Sequence, residues 1–347
     1  MRRSRWIREV AFVTSKERRQ FFSCEKERLE KLAKESGKLR RQEWWSLAYF
    51  KNPYLVDARS DKLHKRYQDI TGNFTTLTKS GQIAPVTGKD CDLWLSRITH
   101  VQEELFARGL RPNRADDDIH IPKPTFPTIP PGLEILKGRE LPDQPYLVRI
   151  GEHAHMASML ENGEIRIAPA SSWSNQSLVS AIKDNELEVS ACYSVSDIMK
   201  TALGRSVSHK FDLSRPGEIT LRRTLADFYA FCCTHKYDHR LLDDFNKDTI
   251  VLIKDPKKFL DNLATAISLH NPNLSVRFGP IRYYDPYAVE DWDRNTDGFL
   301  KHFRYAYQNE FRVCCTLPAG ASHKFEPFFV TIGSMRDYAE LLTIARA

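Results

Sequence analysis

The sequence predicts an α+β fold, and three observations lead to it. In roughly the last 200 residues, short apolar runs rich in β-branched and aromatic residues outnumber helical patterns. These runs follow one another without regularly alternating helices, which argues against a doubly wound parallel sheet. The first part of the chain is mainly helical in pattern instead. We therefore expect a helical region over residues 1–111 and a mixed β-sheet domain over residues 146–347.

A proline-rich stretch separates these two regions. Eight prolines fall between Arg111 and Pro145. Proline has no amide hydrogen and a fixed φ angle, so this density disfavours both helices and sheet ladders. Residues 112–145 are therefore predicted to be an extended linker and to mark the domain boundary.

The N-terminal region has two helical patterns. Residues 16–50 have one, with Ser15 as its expected N-cap. A second helix is expected over Asp90–Arg108, and the Thr-, Gly- and Ser-rich residues 70–88 between them are typical of a loop or hairpin.

The net charge of +7 belongs to the start of the chain. Residues 1–50 contain 14 basic and 7 acidic side chains, a balance equal to that of the whole chain. The arginines that dominate this charge are Arg2, Arg3, Arg5, Arg8, Arg18, Arg19, Arg40 and Arg41. With Trp44 and Trp45 beyond them, they suggest a weak nucleic-acid contact through phosphates and stacked bases. The alternative is a helical region packed on the second domain, which the interspersed glutamates favour.

Several classes of protein have no support in the sequence. No apolar run approaches the roughly 18 residues of a membrane span, and Val10–Val13 is too short for the core of a signal peptide. The odd count of seven cysteines does not suit a secreted disulfide framework. We therefore expect a cytoplasmic protein. Phosphate-loop, dinucleotide-fold, serine-hydrolase and zinc-protease motifs are absent from the sequence.

The clearest candidate site is the hexapeptide Tyr307–Arg312. In a strand, Gln308, Glu310 and Arg312 would share one face and present an amide, a carboxylate and a guanidinium in a row. Such a carboxylate can accept hydrogen bonds from a ribose diol or stabilise the positive charge of a breaking glycosidic bond. The alternative is a solvated strand face with a weak Glu–Arg ion pair.

Two further residues are candidates because of where they interrupt apolar runs. Arg149 lies within the predicted strand Tyr146–Ile150, where a guanidinium must be paired or must line a cleft. It is able to clamp a phosphate through two hydrogen bonds, unless it is an edge residue facing water. Thr234 follows the apolar run Phe228–Cys233 and is either a ligand-orienting hydroxyl or a turn residue. His153 and His155 have metal-ligand spacing, but no second ligand cluster accompanies them, so no metal is expected.

The order of these features resembles a bacterial domain family of unknown function that occurs in abortive-infection and toxin contexts. Its members have a first strand, a helix-Gly-strand unit, a Phe-Asn-Asp-Pro loop, a Cys-Phe-Ser strand end and a Lys-x3-Tyr-x-x-Glu-x-Glu-aromatic-Arg strand. The corresponding segments are Tyr146–Ile150, Leu160–Ile167, Trp173-Ser174-Asn175-Gln176, Cys232-Cys233-Thr234 and Lys301–Arg312.

The same order of motifs resembles the Arg, Ser-Thr-Ser and Glu/Gln-x-Glu pattern of ADP-ribosyltransferases. The resemblance implies that Arg149 binds the pyrophosphate of NAD, Thr234 orients the nicotinamide ribose and Glu310 is the catalytic carboxylate. Gln308, also catalytic, would position the acceptor. It further implies neighbouring strands, from which Arg149, Thr234 and Glu310 converge on one face of the sheet within about 10 Å, the breadth of a ligand cleft.

Trp173 and Arg312 complete the cofactor-binding residues expected from this resemblance. NAD would be the substrate, and the acceptor would be a protein or nucleic acid. The family's contexts imply a toxin or phage-defence effector, and an antitoxin partner would fit that role. The alternative from another class is a non-catalytic nucleotide-sensing or binding module.

Overall fold

The computed structural model describes residues 14–111, 130–175, 177–179, 181, 183–198, 217–288, 298–318 and 324–344. Both helices and mainly antiparallel sheets are present, which confirms the α+β class. None of the helices in these ranges combines the length and the apolar character needed to cross a membrane.

Four helices make up the N-terminal region: α1 (Ser15–Ser36), α2 (Arg41–Lys51), α3 (Ser60–Phe74) and α4 (Lys89–Ala107). The N-cap of α1 is Thr14, one residue before the expected Ser15, and it forms a capping box with Glu17. Gly37 ends α1 in the left-handed conformation at φ 68°. The helical pattern over residues 16–50 is therefore two helices. A hairpin of β1 (Thr75–Leu77) and β2 (Ile83–Pro85) connects α3 to α4.

The rest of the chain contains twelve described strands and five described α-helices. The strands are β3 (Leu147–Gly151), β4 (Glu164–Pro169), β5 (Glu188–Ser194), β6 (Glu218–Thr224), β7 (Tyr229–Thr234), β8 (Thr249–Ile253), β9 (Ser275–Pro280), β10 (Arg282–Tyr284), β11 (Leu300–His302), β12 (Glu310–Thr316), β13 (Phe328–Thr331) and β14 (Ala339–Thr343). The helices are α5 (Pro131–Glu134), α6 (His153–Asn162), α7 (Val195–Ile198), α8 (Leu241–Asp244) and α9 (Pro256–His270). Two 3-10 helices cover Ala170–Ser174 and Phe303–Gln308.

The central sheet branches at β7. One continuous path of paired strands runs β9–β12–β7–β3–β8–β14. Strand β4 pairs with the same edge of β7 as β3 does, and β13 pairs with β4. Along that edge, β4 pairs only with Tyr229 and Ala230, and β3 pairs only with Thr234. Between them, the described part of the chain gives residues 231–233 no partner strand on this edge, although β12 pairs with them on the other edge. The sheet is therefore open at this point.

The two faces of the sheet have different covers. One face packs Phe231, Cys233 and Val251 against α6 and α9, with Phe259 and Leu263 as the main contributions of α9. The other face packs Val148, Ile250 and Leu252 against α8 and residues 135–136. Apolar burial of this kind is the main stabilising contribution to the fold.

Three parts of the chain differ from their predicted conformation. Residues 112–129 of the expected linker lie outside the described residues, but 131–134 form α5, and Ile135 and Leu136 are buried. The spacing of Leu178, Ile182, Leu187 and Val189 predicts a helix, but residues 183–187 form an irregular loop that ends at β5. The sequence also predicts a terminal helix over Met335–Ala347, but residues 339–343 form the strand β14, because pairing with β8 along its whole length outweighs helix propensity.

The helical region and the sheet domain share a core. Phe303, from the second domain, is buried in the cluster formed by α1–α4. The buried side chains of Arg66 on α3 and Asp285 form a two-bonded ion pair, with both N–O distances 2.6 Å. The N-terminal region therefore packs on the sheet domain.

Candidate functional site

A cavity of about 590 Å³ lies at the opening in the sheet. Residues 231–233 of β7 line it, with residues 148–151 of β3 on one side and residues 164–166 of β4 on the other. Six further lining residues, of which four are polar or charged, are Trp173, Ala181, Glu186, Lys301, Gln308 and Glu310. The volume is within the range of about 300–1,000 Å³ typical of small-molecule sites.

The turn at Asn309 sets the position of Glu310. Asn309 is left-handed at φ 44°, which asparagine tolerates better than most residues, and its side chain donates to Tyr307 O at 3.0 Å. The chain thus passes from the 3-10 helix directly into β12, whose first residue is Glu310. Glu310 lies opposite Thr234, which lies opposite Val148.

Glu310 belongs to a buried network of two carboxylates and two cations. Its Oε2 accepts from Lys301 Nζ at 2.8 Å, and its Oε1 accepts from Arg312 Nη2 at 2.7 Å. Glu186 contacts the same two cations, at 3.2 Å from Lys301 and 2.5 Å from Arg312. The formal charges balance, which is the condition under which buried charges are tolerated.

The network keeps Glu310 ionised. Burial alone would raise the pKa of Glu310, but Arg312 and Lys301 outweigh burial and hold this pKa well below its usual range. Burial lowers the pKa of Lys301, but Glu310 and Glu186 raise it well above its usual range. Glu310 is thus a carboxylate and Lys301 an ammonium at neutral pH. Glu310 is suited to stabilise positive charge and not to donate a proton.

Gln308 lines the cavity but is not on the strand of Glu310. It is the last residue of the 3-10 helix Phe303–Gln308, so the predicted row of three side chains on one strand face is wrong. Its side chain is fixed all the same. Its Oε1 accepts from Lys301 Nζ at 3.2 Å, and its Nε2 donates to Ala181 O at 2.7 Å.

Arg312 is not among the residues that line the cavity, so the structure gives no support to its expected contact with a cofactor, which stays a prediction. Its side chain has no exposed surface and is occupied by Glu310, Glu186 and the carbonyl of Gly298. The half-buried Trp173 does line the cavity, and its ring packs 5.3 Å from the Arg312 guanidinium. Arg312 therefore affects the cavity indirectly, by holding Glu310 and Glu186 in its wall.

Thr234 closes a turn at the end of β7. Its hydroxyl lies 2.9 Å from Lys236 O and 3.2 Å from Asn309 O, both acceptors for its single proton. These bonds are those of a turn residue, one of the two roles expected for Thr234, and Thr234 also borders the cavity. Its bond to Asn309 ties β7 to the turn before Glu310.

Arg149 borders the same cavity from the opposite face of the sheet. Because Val148 shares a face with Thr234 and Glu310, the next residue of β3 projects the other way. The Arg149 guanidinium packs 4.7 Å from the Phe231 ring and donates to Cys232 O, and its Nε has no partner. The expectation that Arg149 and Glu310 converge on one face is wrong. The two side chains meet one cavity because the sheet is open between them.

Two residues of the network were not among the predicted site residues. Lys301 lies at the start of the motif segment 301–312, but it was given no role. Glu186 lies in a loop that was predicted to be helical, with Asp184 and Glu188 on either side. Burial raises the pKa of Asp184 to about 6. The acidic residues Asp184, Glu186 and Glu188 could have indicated a partner for the cations of the motif segment 301–312.

The remaining predictions concern metals and nucleic acid. In the described ranges, no group of three or more His, Cys, Asp or Glu side chains is arranged to hold a metal ion. Arg2, Arg3, Arg5 and Arg8 lie outside the described residues. The other four predicted arginines have acidic partners: Arg18–Glu104, Arg19–Asp57, Arg40–Glu43 and Arg41–Asp92. Contact with nucleic acid through residues 1–50 stays a prediction.

The comparisons with known proteins give no relative from which to transfer a role. No protein-family model, curated protein or solved structure matches the chain.

Proposed function

We propose that the cavity binds NAD and that the protein transfers ADP-ribose from it to a macromolecular acceptor, as a toxin or phage-defence effector. The observation that carries this proposal is an ionised carboxylate, Glu310, on the inner wall of a cavity of suitable size for a nucleotide. The adjacency of the strands that carry Arg149, Thr234 and Glu310 supports it.

The proposed reaction follows from what each side chain offers. The bond between ribose C1′ and the nicotinamide nitrogen breaks, and nicotinamide leaves with the electron pair. Glu310 stabilises the positive charge that develops on the ribose. The acceptor nucleophile then bonds to C1′ and loses a proton. Gln308, whose amide is held by Lys301 and Ala181, would position the acceptor.

A non-catalytic nucleotide-binding module is the second candidate. The observation that favours it is that both carboxylate oxygens of Glu310 already accept hydrogen bonds from cations. These bonds reduce the charge that the carboxylate offers to a ligand. In this alternative the network fixes the shape of the cavity wall and takes no part in chemistry.

Incubation of the full chain with NAD labelled in the adenine moiety tests the proposal. We expect nicotinamide release and transfer of the label to protein or nucleic acid from a cell extract. Saturable NAD binding without nicotinamide release would support the binding module. Absence of both binding and release would exclude both candidates.

Replacing Arg149 with alanine tests the pyrophosphate contact. We expect the Kd for NAD, measured by calorimetry, to rise about tenfold or more, because a charge-assisted hydrogen bond to phosphate is lost. Arg59→Ala is the control, since Arg59 is exposed, pairs with Asp61 and does not line the cavity. Equal Kd values for the two variants would exclude Arg149 as a ligand-binding residue. That result would agree with the position of Arg149 on the sheet face opposite to Glu310.

A further inference from the structure

Helix α3 makes direct contact with the segment that positions the candidate site. Asn73, near its C-terminal end, is 2% exposed. Its Nδ2 donates to Asp69 O at 2.8 Å within the helix and lies 3.1 Å from Phe303 O and 3.2 Å from Arg304 O, which share its other hydrogen. Its Oδ1 accepts from the amide of Tyr307 at 2.8 Å. One side chain thus contacts three main-chain groups of the 3-10 helix Phe303–Gln308.

This 3-10 helix leads to the candidate site without an intervening loop. Gln308 is its last residue, Asn309 is the left-handed turn and Glu310 follows at once. A displacement of Tyr307 therefore moves both cavity-lining side chains. Short 3-10 helices have poorer internal hydrogen bonds than α-helices, so an external partner contributes more to their order.

A second contact holds the same segment to α3. The Arg240 guanidinium stacks 3.8 Å from the centre of the Tyr307 ring. The same side chain donates to the carbonyl of Gly72 on α3 and pairs with Asp244 at 2.8 Å. Tyr307 is thus fixed through its main chain by Asn73 and through its ring by Arg240.

We propose that Asn73 is a positioning residue of the site and that the N-terminal helical region is an integral part of it. Asn73 sets the place of Gln308 and Glu310 in the cavity wall by fixing the 3-10 helix. Its effect on catalysis rests on the proposed function, whereas its effect on the order of residues 303–310 does not.

Hydrogen exchange of the full chain, resolved to single amides, tests this proposal. In Asn73→Ala, the Tyr307 amide loses its acceptor, and we expect its exchange to become about tenfold faster or more, the equivalent of one lost hydrogen bond. Asn73→Ser keeps a polar group but is too short to reach the Tyr307 amide, so it should lose this protection in the same way. Ile70→Val is the control, because Ile70 is buried on the same helix in the apolar cluster that also contains Phe303, so this variant changes packing and leaves the hydrogen bonds of Asn73 in place.

Activity gives a second readout. We expect Asn73→Ala to lower kcat for nicotinamide release about tenfold with little change in KM, and Ile70→Val to leave both near the wild-type values. Unchanged exchange at Tyr307 in Asn73→Ala, or equal acceleration in Ile70→Val, would overturn the proposal. If Asn73→Ala does not fold, unchanged protection of Tyr307 in Asn73→Ser overturns it instead. If the wild-type protein releases no nicotinamide, the proposed function is refuted. The exchange of the Tyr307 amide would then still decide whether Asn73 positions the 3-10 helix.

Discussion

Replacing Glu310 with glutamine should lower the rate of nicotinamide release by about 100-fold or more, with the protein still folded. Glutamine has nearly the same shape as glutamate, but it lacks the negative charge that would stabilise the cationic ribose. The variant also leaves the two cations with one carboxylate, so some loss of stability is expected. The measurement is kcat/KM for nicotinamide release, with the free energy of unfolding measured beside it.

Glu186→Gln is the matched control for this experiment. It removes the same charge from the same network, since Glu186 also contacts Lys301 and Arg312. If Glu310 is catalytic, the two variants should lose similar stability and differ in activity by at least tenfold. If the network only shapes the cavity wall, both variants should lose stability and activity to a similar extent. The second outcome would leave the binding-module alternative in place.

The strands that carry the site could be predicted from local sequence. The runs Tyr146–Ile150, Phe228–Cys233 and Phe311–Leu317 lie within one residue of β3, β7 and β12 at each end. Each is a short, nearly continuous apolar run, and such runs are typical of strands buried on both faces. Local pattern was sufficient because burial on both faces imposes the composition directly.

The register between these strands could not be predicted in the same way. Whether Arg149 shares a face with Glu310 depends on which residue of β3 lies opposite Thr234, and a shift of one residue reverses the answer. That pairing is set by tertiary packing, since β3 and β7 meet at a single residue pair. The opening in the sheet also results from this limited pairing of β7 with β3. Through the opening, Arg149 and Glu310 line one cavity.

The alternation over Gln308–Arg312 was misleading for a local reason. Apart from Asn309, polar and apolar residues alternate over Tyr307–Val313 as in a strand, but Asn309 takes the left-handed conformation and separates Gln308 from the strand. Asparagine was the one visible warning, because it is among the residues that enter this region most readily. Glu186 was missed because its ion pairs join segments more than a hundred residues apart in the sequence.

Replacing Arg312 with methionine should cost about 3–5 kcal/mol in the free energy of unfolding, the usual cost of leaving a buried charge without its partner. Arg312 is completely buried, and in this variant Glu310 and Glu186 would share Lys301 alone. Methionine fills much of the same volume, so the loss would report charge more than a cavity. Urea unfolding at pH 7 measures this loss of stability. Equal m-values for the wild type and Arg312→Met would show that the two proteins unfold in the same way.

A double-mutant cycle separates the charge effect from packing. Adding Glu186→Gln to Arg312→Met restores the balance to one carboxylate and one cation. We therefore expect the double variant to be more stable than the sum of the two single losses predicts, by about 1–3 kcal/mol. Strict additivity would mean that Glu186 and Arg312 are not coupled. In that case Glu186 would not be part of the charge network, whereas the direct bonds from Lys301 and Arg312 that lower the pKa of Glu310 would be unaffected.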